Sequence, residues 1–261
     1  MAENKKTMSR EEMVTALSTE LQSTAEALPA GLNVVRFANN AIALLYNNDK
    51  LREYASKYGF APVKIGLMKG AYLGLDFMNE EAHLVPFGSE LKFMMNYRGA
   101  VKLVKKYSIR KVKDVYAEIV REGDEFQKTI ENGEQRVDFK PLPFNGGDII
   151  GAFAVCMFED GGLLCETMSL EELENTRKAS KNSNTGAWKT YTSEMYKKTV
   201  LHRLCKHIEI EFETPDQTIF FKNDIEIETD VVEQSKNEVA IEANSEPFGF
   251  DESEVEGVAD E

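Results

Sequence analysis

The chain has 261 residues, of which 42% are hydrophobic and 29% charged, and its net charge is −14. That length suits one large domain or two small ones around a real core. No run of 18 apolar residues marks a membrane span, and the polar start MAENKKTMSREEM lacks the apolar stretch of a secretory signal.

The charge is unevenly spread. Residues 213–261 hold sixteen Asp or Glu and only Lys222 and Lys236, so the acidity of the whole chain resides there and the first 212 residues sum to zero. Within those 212, cations cluster. Arg98 to Lys113 contains seven Lys or Arg and no acid, and Arg177 to Lys206 contains eight with Glu194 alone against them. A polyanion responds to this distribution and not to the total. Three cysteines, Cys156, Cys165 and Cys205, have no Cys-x-x-Cys spacing and read as reduced thiols of a cytoplasmic protein.

In chain order, Ser9 and Glu12 form a capping box that opens a helix carrying Met13, Leu17, Leu21 and Leu28. Asn33 is placed to cap a second helix with Val34, Phe37, Ala41, Leu44 and Leu45 at helical spacing. Asp49 is placed to cap a third, ending at Gly59. Pro62 suggests the start of a fourth, turning Ile65, Leu67, Met68 and Leu73 inward. The first third is thus expected to be a helical subdomain.

The period then shortens. Ala82–Phe87 and Leu91–Tyr97 flank Gly88-Ser89 as a hairpin. YRGAVKLVKKY (97–107) follows as a helix with Tyr97, Ala100, Val101, Val104 and Tyr107 on one side and Arg98, Lys102, Lys105 and Lys106 on the other. Strands are expected at Val112–Val120 and Phe126–Ile130, with loops at Gly133 and Pro141–Gly147. The near-continuous apolar run Asp148–Phe158 predicts a central strand that turns at Asp160-Gly-Gly162 into Leu163–Met168. Ser169 and Glu172 form a second capping box for a helix to about Ala179, and the polar stretch SKNSNTG follows.

From about Ser193 a further helix has Tyr196, Val200, Leu204 and Ile208 on an apolar stripe with Leu201 beside them. Lys198, His202 and Lys206 recur in steps of four on the other side, with Arg203 and Thr199 alongside. Such a row places cations roughly 5–6 Å apart, similar to phosphates along a strand. Lys197 falls by phase on the apolar side and is expected to snorkel or pair with an acid of a neighbouring element. Trp188 and Lys189 sit just upstream, with Tyr191 close by. Roughly 225–261 reads as disordered, with Phe248 and Phe250 set in acid near its end.

No catalytic constellation stands out. There is no Walker loop and no G-x-G-x-x-G after a strand, so nothing supports ATP use. His83, His202 and His207 do not make a metal triad, and Asp148, Asp160 and Glu166 lack the D-x(n)-E-x-K spacing of metal-dependent nucleases. What remains is two basic helical faces with aromatics nearby, a sequence-tolerant means of holding single strands. The residues singled out are Tyr97, Arg98, Lys102, Lys105, Lys106, Trp188, Lys189, Lys198, His202, Arg203 and Lys206.

Three segments carry a resemblance: EAHLVPFGSELKFMMNYRGAVKLVKK (81–106), GAFAVCMFEDGG (151–162) and MSLEELENTRKASKNSNTGAWKTYTSEMYKKTVLHRLCKH (168–207). In this collinear order the chain resembles the RecT family of phage and prophage single-strand annealing proteins, over roughly 30–212. The resemblance implies binding of single-stranded DNA and of the nascent annealed duplex. It also implies assembly into rings or filaments, no ATP or other cofactor, a partner 5′→3′ exonuclease and the host single-strand-binding protein, in the bacterial cytoplasm. It assigns phosphate contact to Arg98, Lys102, Lys105, Lys106, Lys198, Arg203 and Lys206, and base contact or groove shaping to Trp188 and Tyr97.

The expectation is therefore an α+β protein: an N-terminal helix (1–30) with a possible role in oligomerisation, a DNA-binding and annealing core (31–212) of hairpins and a small sheet packed with basic amphipathic helices, and an acidic, largely disordered tail (213–261) that could bind partners. A metal-dependent nuclease, or a strand-binding or structural oligomer without annealing activity, are the alternatives.

Overall fold

A computed structural model describes residues 8–180 and 187–221. The chain folds as α+β. Four helices, α1 (Arg10–Ser23), α2 (Val34–Asn47), α3 (Asp49–Tyr58) and α4 (Phe60–Leu73), form the N-terminal part. The Ser9–Glu12 capping box is present in both directions, and the Asn33 side chain accepts from the Arg36 N–H. The third helix is capped by Asn48, whose carboxamide oxygen accepts from Leu51 N–H, and Asp49 takes the first helical position. Helix α4 begins two residues before Pro62; a first-turn proline is tolerated because the N–H groups there have no intrahelical partner. Its buried stripe is Val63, Gly66, Leu67, Gly70 and Ala71, so Ile65, expected inside, lies off the stripe and is 59% exposed.

Strands β1 (Ala82–Phe87) and β2 (Glu90–Met95) form an antiparallel hairpin on α4. The approach is close: a Cβ on Gly66 would lie 2.7 Å from Leu84 of β1, and one on Gly70 would lie 2.6 Å from the ring of Phe77 in the segment between α4 and β1. Asn96 caps α5 (Tyr97–Tyr107). The Asn96 N–H donates to the Glu81 carbonyl at 2.9 Å, and Gly99 lies so near that carbonyl that any Cβ would collide with it. Gly99 is thus what lets α5 dock.

The remaining strands are β3 (Val112–Arg121), β4 (Glu125–Glu131), β5 (Glu134–Lys140), β6 (Ile149–Phe158) and β7 (Leu163–Ser169). The sheet order β3-β6-β7 makes β6 central, as its unbroken apolar run predicts. Ala152, Ala154, Cys156 and Phe158 face the main core, whereas Phe153 and Val155 face the β4–β5 hairpin. Phe126 and Phe139 of that hairpin close on Phe153, with ring centroids 4.8 and 5.0 Å away. The hairpin also blunts the open edge of β7, where Lys128 Nζ donates to the Cys165 carbonyl and the Gln135 carboxamide accepts from the Cys165 N–H, both at 2.7 Å. Strand β5 is not evident from sequence. Its outward residues Glu134, Arg136, Asp138 and Lys140 are all charged, leaving only Val137 and Phe139 as apolar inward positions.

Helices α6 (Leu170–Ala179), α7 (Ala187–Thr190) and α8 (Thr192–Lys206) complete the core. The Ser169–Glu172 capping box opens α6 as expected. The acidic segment expected from 213 onward starts with packed structure. The Thr214 hydroxyl and Gln217 carboxamide cap each other's N–H groups at the start of a helical turn over 215–221. Gln217, fully buried, donates to the Tyr72 carbonyl at 3.0 Å, and Phe220 stacks on Tyr72 at 5.2 Å. The remainder of the tail, with Phe248 and Phe250, lies outside the described residues, as does most of the SKNSNTG stretch.

Replacing a helical glycine by alanine ordinarily stabilises by about 0.5–1 kcal/mol. At Gly99 the Glu81 carbonyl reverses the sign. Gly99→Ala is expected to cost about 1–3 kcal/mol, read as a lower urea midpoint; a raised midpoint would contradict this docking.

Candidate nucleic-acid interface

Helix α8 lies across one face of β3-β6-β7, with α6 on one flank and α5 on another. Its stripe is buried as the spacing predicts: Tyr196, Val200, Leu201, Leu204 and Ile208 are each less than 9% exposed. The Tyr196 hydroxyl donates to Glu174 of α6, and burial, reinforced by that carboxylate, pushes its pKa up to about 12. Lys197 reaches Glu118 of β3 at 3.0 Å, the pairing expected for a lysine on the apolar side.

Helices α5 and α8 pack side by side. Near the start of α5, Asn96 approaches His83 Nε2 at 3.5 Å, and the Lys198 ammonium is close enough to lower the His83 pKa, second to partial desolvation. At the far end, Ser108 bridges Ile210 and the Ile109 N–H donates to the Glu209 carbonyl. The two basic segments, ninety residues apart in sequence, therefore share one surface, roughly 15–20 Å long by the rise of an α-helix.

The eleven expected site residues fall into three groups. Lys189, Lys198, Arg98, Lys105 and Lys106 are exposed or half-exposed. Lys189 and Lys198 have no ion pair among the described residues. Arg98 faces Glu80 at 3.2 Å, Lys105 faces Asp114 at 3.1 Å, and Lys106 lies over the Tyr107 ring with Glu213 at 3.8 Å. The carboxylates of these three pairs are between 42% and 63% exposed. Pairs this wet contribute about 0–1 kcal/mol each, so a phosphate can replace the carboxylate.

The second group is committed to the fold. Lys102 donates to the Gly74 carbonyl at 2.8 Å and to Glu81 at 2.6 Å, tying the end of α4 to α5. Arg203 holds Glu166 of β7 at 2.6 Å and Glu172 of α6 at 3.1 Å. Half-buried Tyr97 lies beneath the Arg98 guanidinium, 6.0 Å from ring to charge.

The third group departs from the sequence reading. His202, expected on the exposed row between Lys198 and Lys206, is only 6% exposed. Helix α8 is packed by α5, α6 and the sheet, so more than its apolar stripe is covered. Trp188 is 7% exposed, its indole N–H donating to the Ser180 hydroxyl at 3.3 Å and its ring 6.2 Å from Tyr196. The aromatic side chain at the surface here is Tyr191, 64% exposed and next to α8's first turn. Lys206 is half-buried at the end of α8. Sequence reading missed the carboxylates Glu80, Asp114 and Glu213 and the neighbour His83, since nothing in local spacing announces pairings across 9 to more than 100 residues.

Glu172 has its pKa lowered by the Ser169 N–H of its capping box and then by Arg203. Its stabilisation is complete above the ordinary glutamate value of 4.5 and is lost as pH falls through the lowered one. Acid unfolding of the wild type should be steeper below that value than that of Glu172→Gln, which should be less stable at neutral pH. Parallel curves would remove Glu172 from the acid response.

A family model described as RecT family matches residues 36–239. Protein RecT of Escherichia coli (strain K12) is 31% identical over 159 residues, which cover 58% of this chain and 55% of that protein. The match thus spans about half the length of that curated relative. The two helices of this surface, α5 with its docking glycine and α8 with its cations, lie inside the residues matched by the family model. The chain belongs to the RecT family.

Proposed function

We propose that this chain binds single-stranded DNA with little regard to sequence and anneals complementary strands in phage-type recombination, without nucleotide hydrolysis or a cofactor. The observation that carries the reading is the shared surface of α5 and α8. It sets Arg98, Lys105, Lys106 and Lys198 on adjacent helices, with Lys189 and exposed Tyr191 just before the start of α8. Membership of the RecT family supports the same reading.

Annealing asks two things of a protein. It must screen the phosphates of two strands, and it must leave base edges free to pair. Cations on two neighbouring helices do the first. The second is served by the withdrawal of aromatics from this surface: Trp188 is buried and Tyr97 is covered by Arg98, while exposed Tyr191 is placed to stack on a base. We further propose that the protein acts as an oligomer in the bacterial cytoplasm, alongside a 5′→3′ exonuclease and the host single-strand-binding protein. Residues 31–212 with the packed segment to 221 would form the annealing core.

The test adds two complementary labelled strands in sequence, without nucleotide, at several salt concentrations. Faster duplex formation with retained product is expected. Lys198→Ala and Lys189→Ala should each weaken binding similarly across sequences and flatten the logarithmic salt slope by about one unit. Binding without annealing would reduce the protein to a strand-binding module, and cleaved strands would replace the reading by a nuclease.

A further inference from the structure

The acidic segment is rooted beside the cations of α5. After α8 the chain pairs antiparallel with residues 107–109: the Ile109 N–H donates to the Glu209 carbonyl at 3.1 Å, and the Glu211 N–H donates to the Tyr107 carbonyl at 2.9 Å. Phe212 packs on the Tyr107 ring at 5.1 Å, and Phe221, 8% exposed, packs on Phe212 at 5.3 Å. Buried Gln217 reaches the Tyr107 hydroxyl at 3.3 Å as well as the Tyr72 carbonyl. Tyr107 is the last residue of α5, and the Lys106 ammonium lies over its ring and donates to its hydroxyl at 2.8 Å. The root of the segment is thus fixed at the Lys106 end of the basic face.

One carboxylate of that segment already sits on the face. Glu213 Oε1 is 3.8 Å from the Lys106 ammonium, and its Oε2 accepts from the Ala30 N–H at 3.2 Å. Residues 222–261 carry fourteen further Asp or Glu against Lys222 and Lys236, a net charge of −12. Asp224, Glu226, Glu228 and Asp230 recur at every second residue. In an extended peptide that period spaces carboxylates roughly 6.6 Å apart, similar to phosphates along a single strand. Forty residues can span at most about 130–140 Å. The α5–α8 face is only roughly 15–20 Å long, so chain length sets no limit on contact.

We propose that residues 222–261 occupy the α5–α8 face of their own chain when no strand is bound, and that a strand must displace them. Charge selects this occupant. Arg98, Lys105, Lys106, Lys189 and Lys198 are exposed or half-exposed, and Glu80, Asp114 and Glu213 offset only three of those five cations. Tethering makes the competitor's local concentration independent of dilution, so exposed pairs that are weak singly act together. The consequence is a filter: a long strand, offering many phosphates at once, displaces the segment, whereas a free nucleotide does not. The inference rests on the strand-binding reading of this face and adds its regulation.

Carbodiimide cross-linking of the full chain, read by mass spectrometry, tests occupancy directly. Amide links from carboxylates within 222–261 to Lys105, Lys106 or Lys198 are expected, and a saturating long single strand should abolish them. Mixing light and heavy-isotope copies identifies the links made within one chain. Strand affinity is measured in parallel. Asp224→Asn/Glu226→Gln/Glu228→Gln/Asp230→Asn should bind a single strand tighter, by roughly tenfold at low salt for four weak exposed pairs, with a steeper salt slope than wild type. Glu11→Gln/Glu53→Gln/Glu90→Gln/Glu134→Gln removes the same charge at exposed positions on α1, α3, β2 and β5 and should leave affinity nearly unchanged. Absence of links within a chain, links that a saturating strand leaves in place, or equal affinity of the first variant and wild type overturns the proposal. Equal gains for both variants do so too, since net charge alone would then account for them. In each of those cases strand binding persists and the annealing reading stands; a chain that binds no strand in any form overturns both.

Discussion

Burial of one stripe of α8 against the helix-facing side of β6 is the contact on which the surface depends. Val200 and Leu204 are fully buried, and Ala152, Ala154 and Cys156 opposite are small enough to let the helix approach. Removing a leucine such as Leu204 from a site like this costs about 2–5 kcal/mol, a large share of a typical domain's stability. Once the stripe is fixed, the direction of every other α8 side chain follows. Lys197 turns to β3 and Arg203 to β7 and α6. Helix α5 is placed by a second constraint, the close approach of Gly99 to the Glu81 backbone. Neither constraint involves a charge, yet together they decide which charges meet.

The cations of the surface are not bare. Glu80, Asp114 and Glu213 occupy positions beside Arg98, Lys105 and Lys106 that a phosphate would take. Such pairs keep a monomer's basic face from repelling itself while contributing little to stability. On the proposed reading they also set a threshold: a strand would have to release carboxylates as well as counterions. Lys102 and Arg203 differ in kind. Their partners Glu81 and Glu166 are 13% and 19% exposed, and breaking those pairs would leave partly buried carboxylates uncompensated. Helical phase alone treats all these residues alike; burial separates them.

Much of the fold was legible in local chemistry. Two reciprocal capping boxes, the hairpin at Gly88-Ser89, the bounds of α5 and the central place of β6 all follow from patterns within about ten residues. What was hidden depends on contacts between distant segments. The burial of His202 requires knowing which elements pack on α8, and that of Trp188 requires the Ser180 hydroxyl just past α6 as its partner. Strand β5 is charged on every outward position and hides behind that pattern. The packed segment to 221 was masked by its acidic neighbours, although Thr214 and Gln217 carry the same capping spacing as the two boxes that were read.

The central claim is that α5 and α8 form one phosphate-binding face whose cations are held by exchangeable carboxylates. Strand affinity of the double variant Glu80→Gln/Asp114→Asn, measured against salt beside wild type, tests it most directly. Both substitutions keep the side-chain shape and remove only the competing charge. The account predicts tighter binding at every salt concentration, by up to roughly tenfold for two exposed pairs, with a salt slope at least as steep as wild type. Unchanged or weakened affinity would contradict it, and would place the strand on another surface.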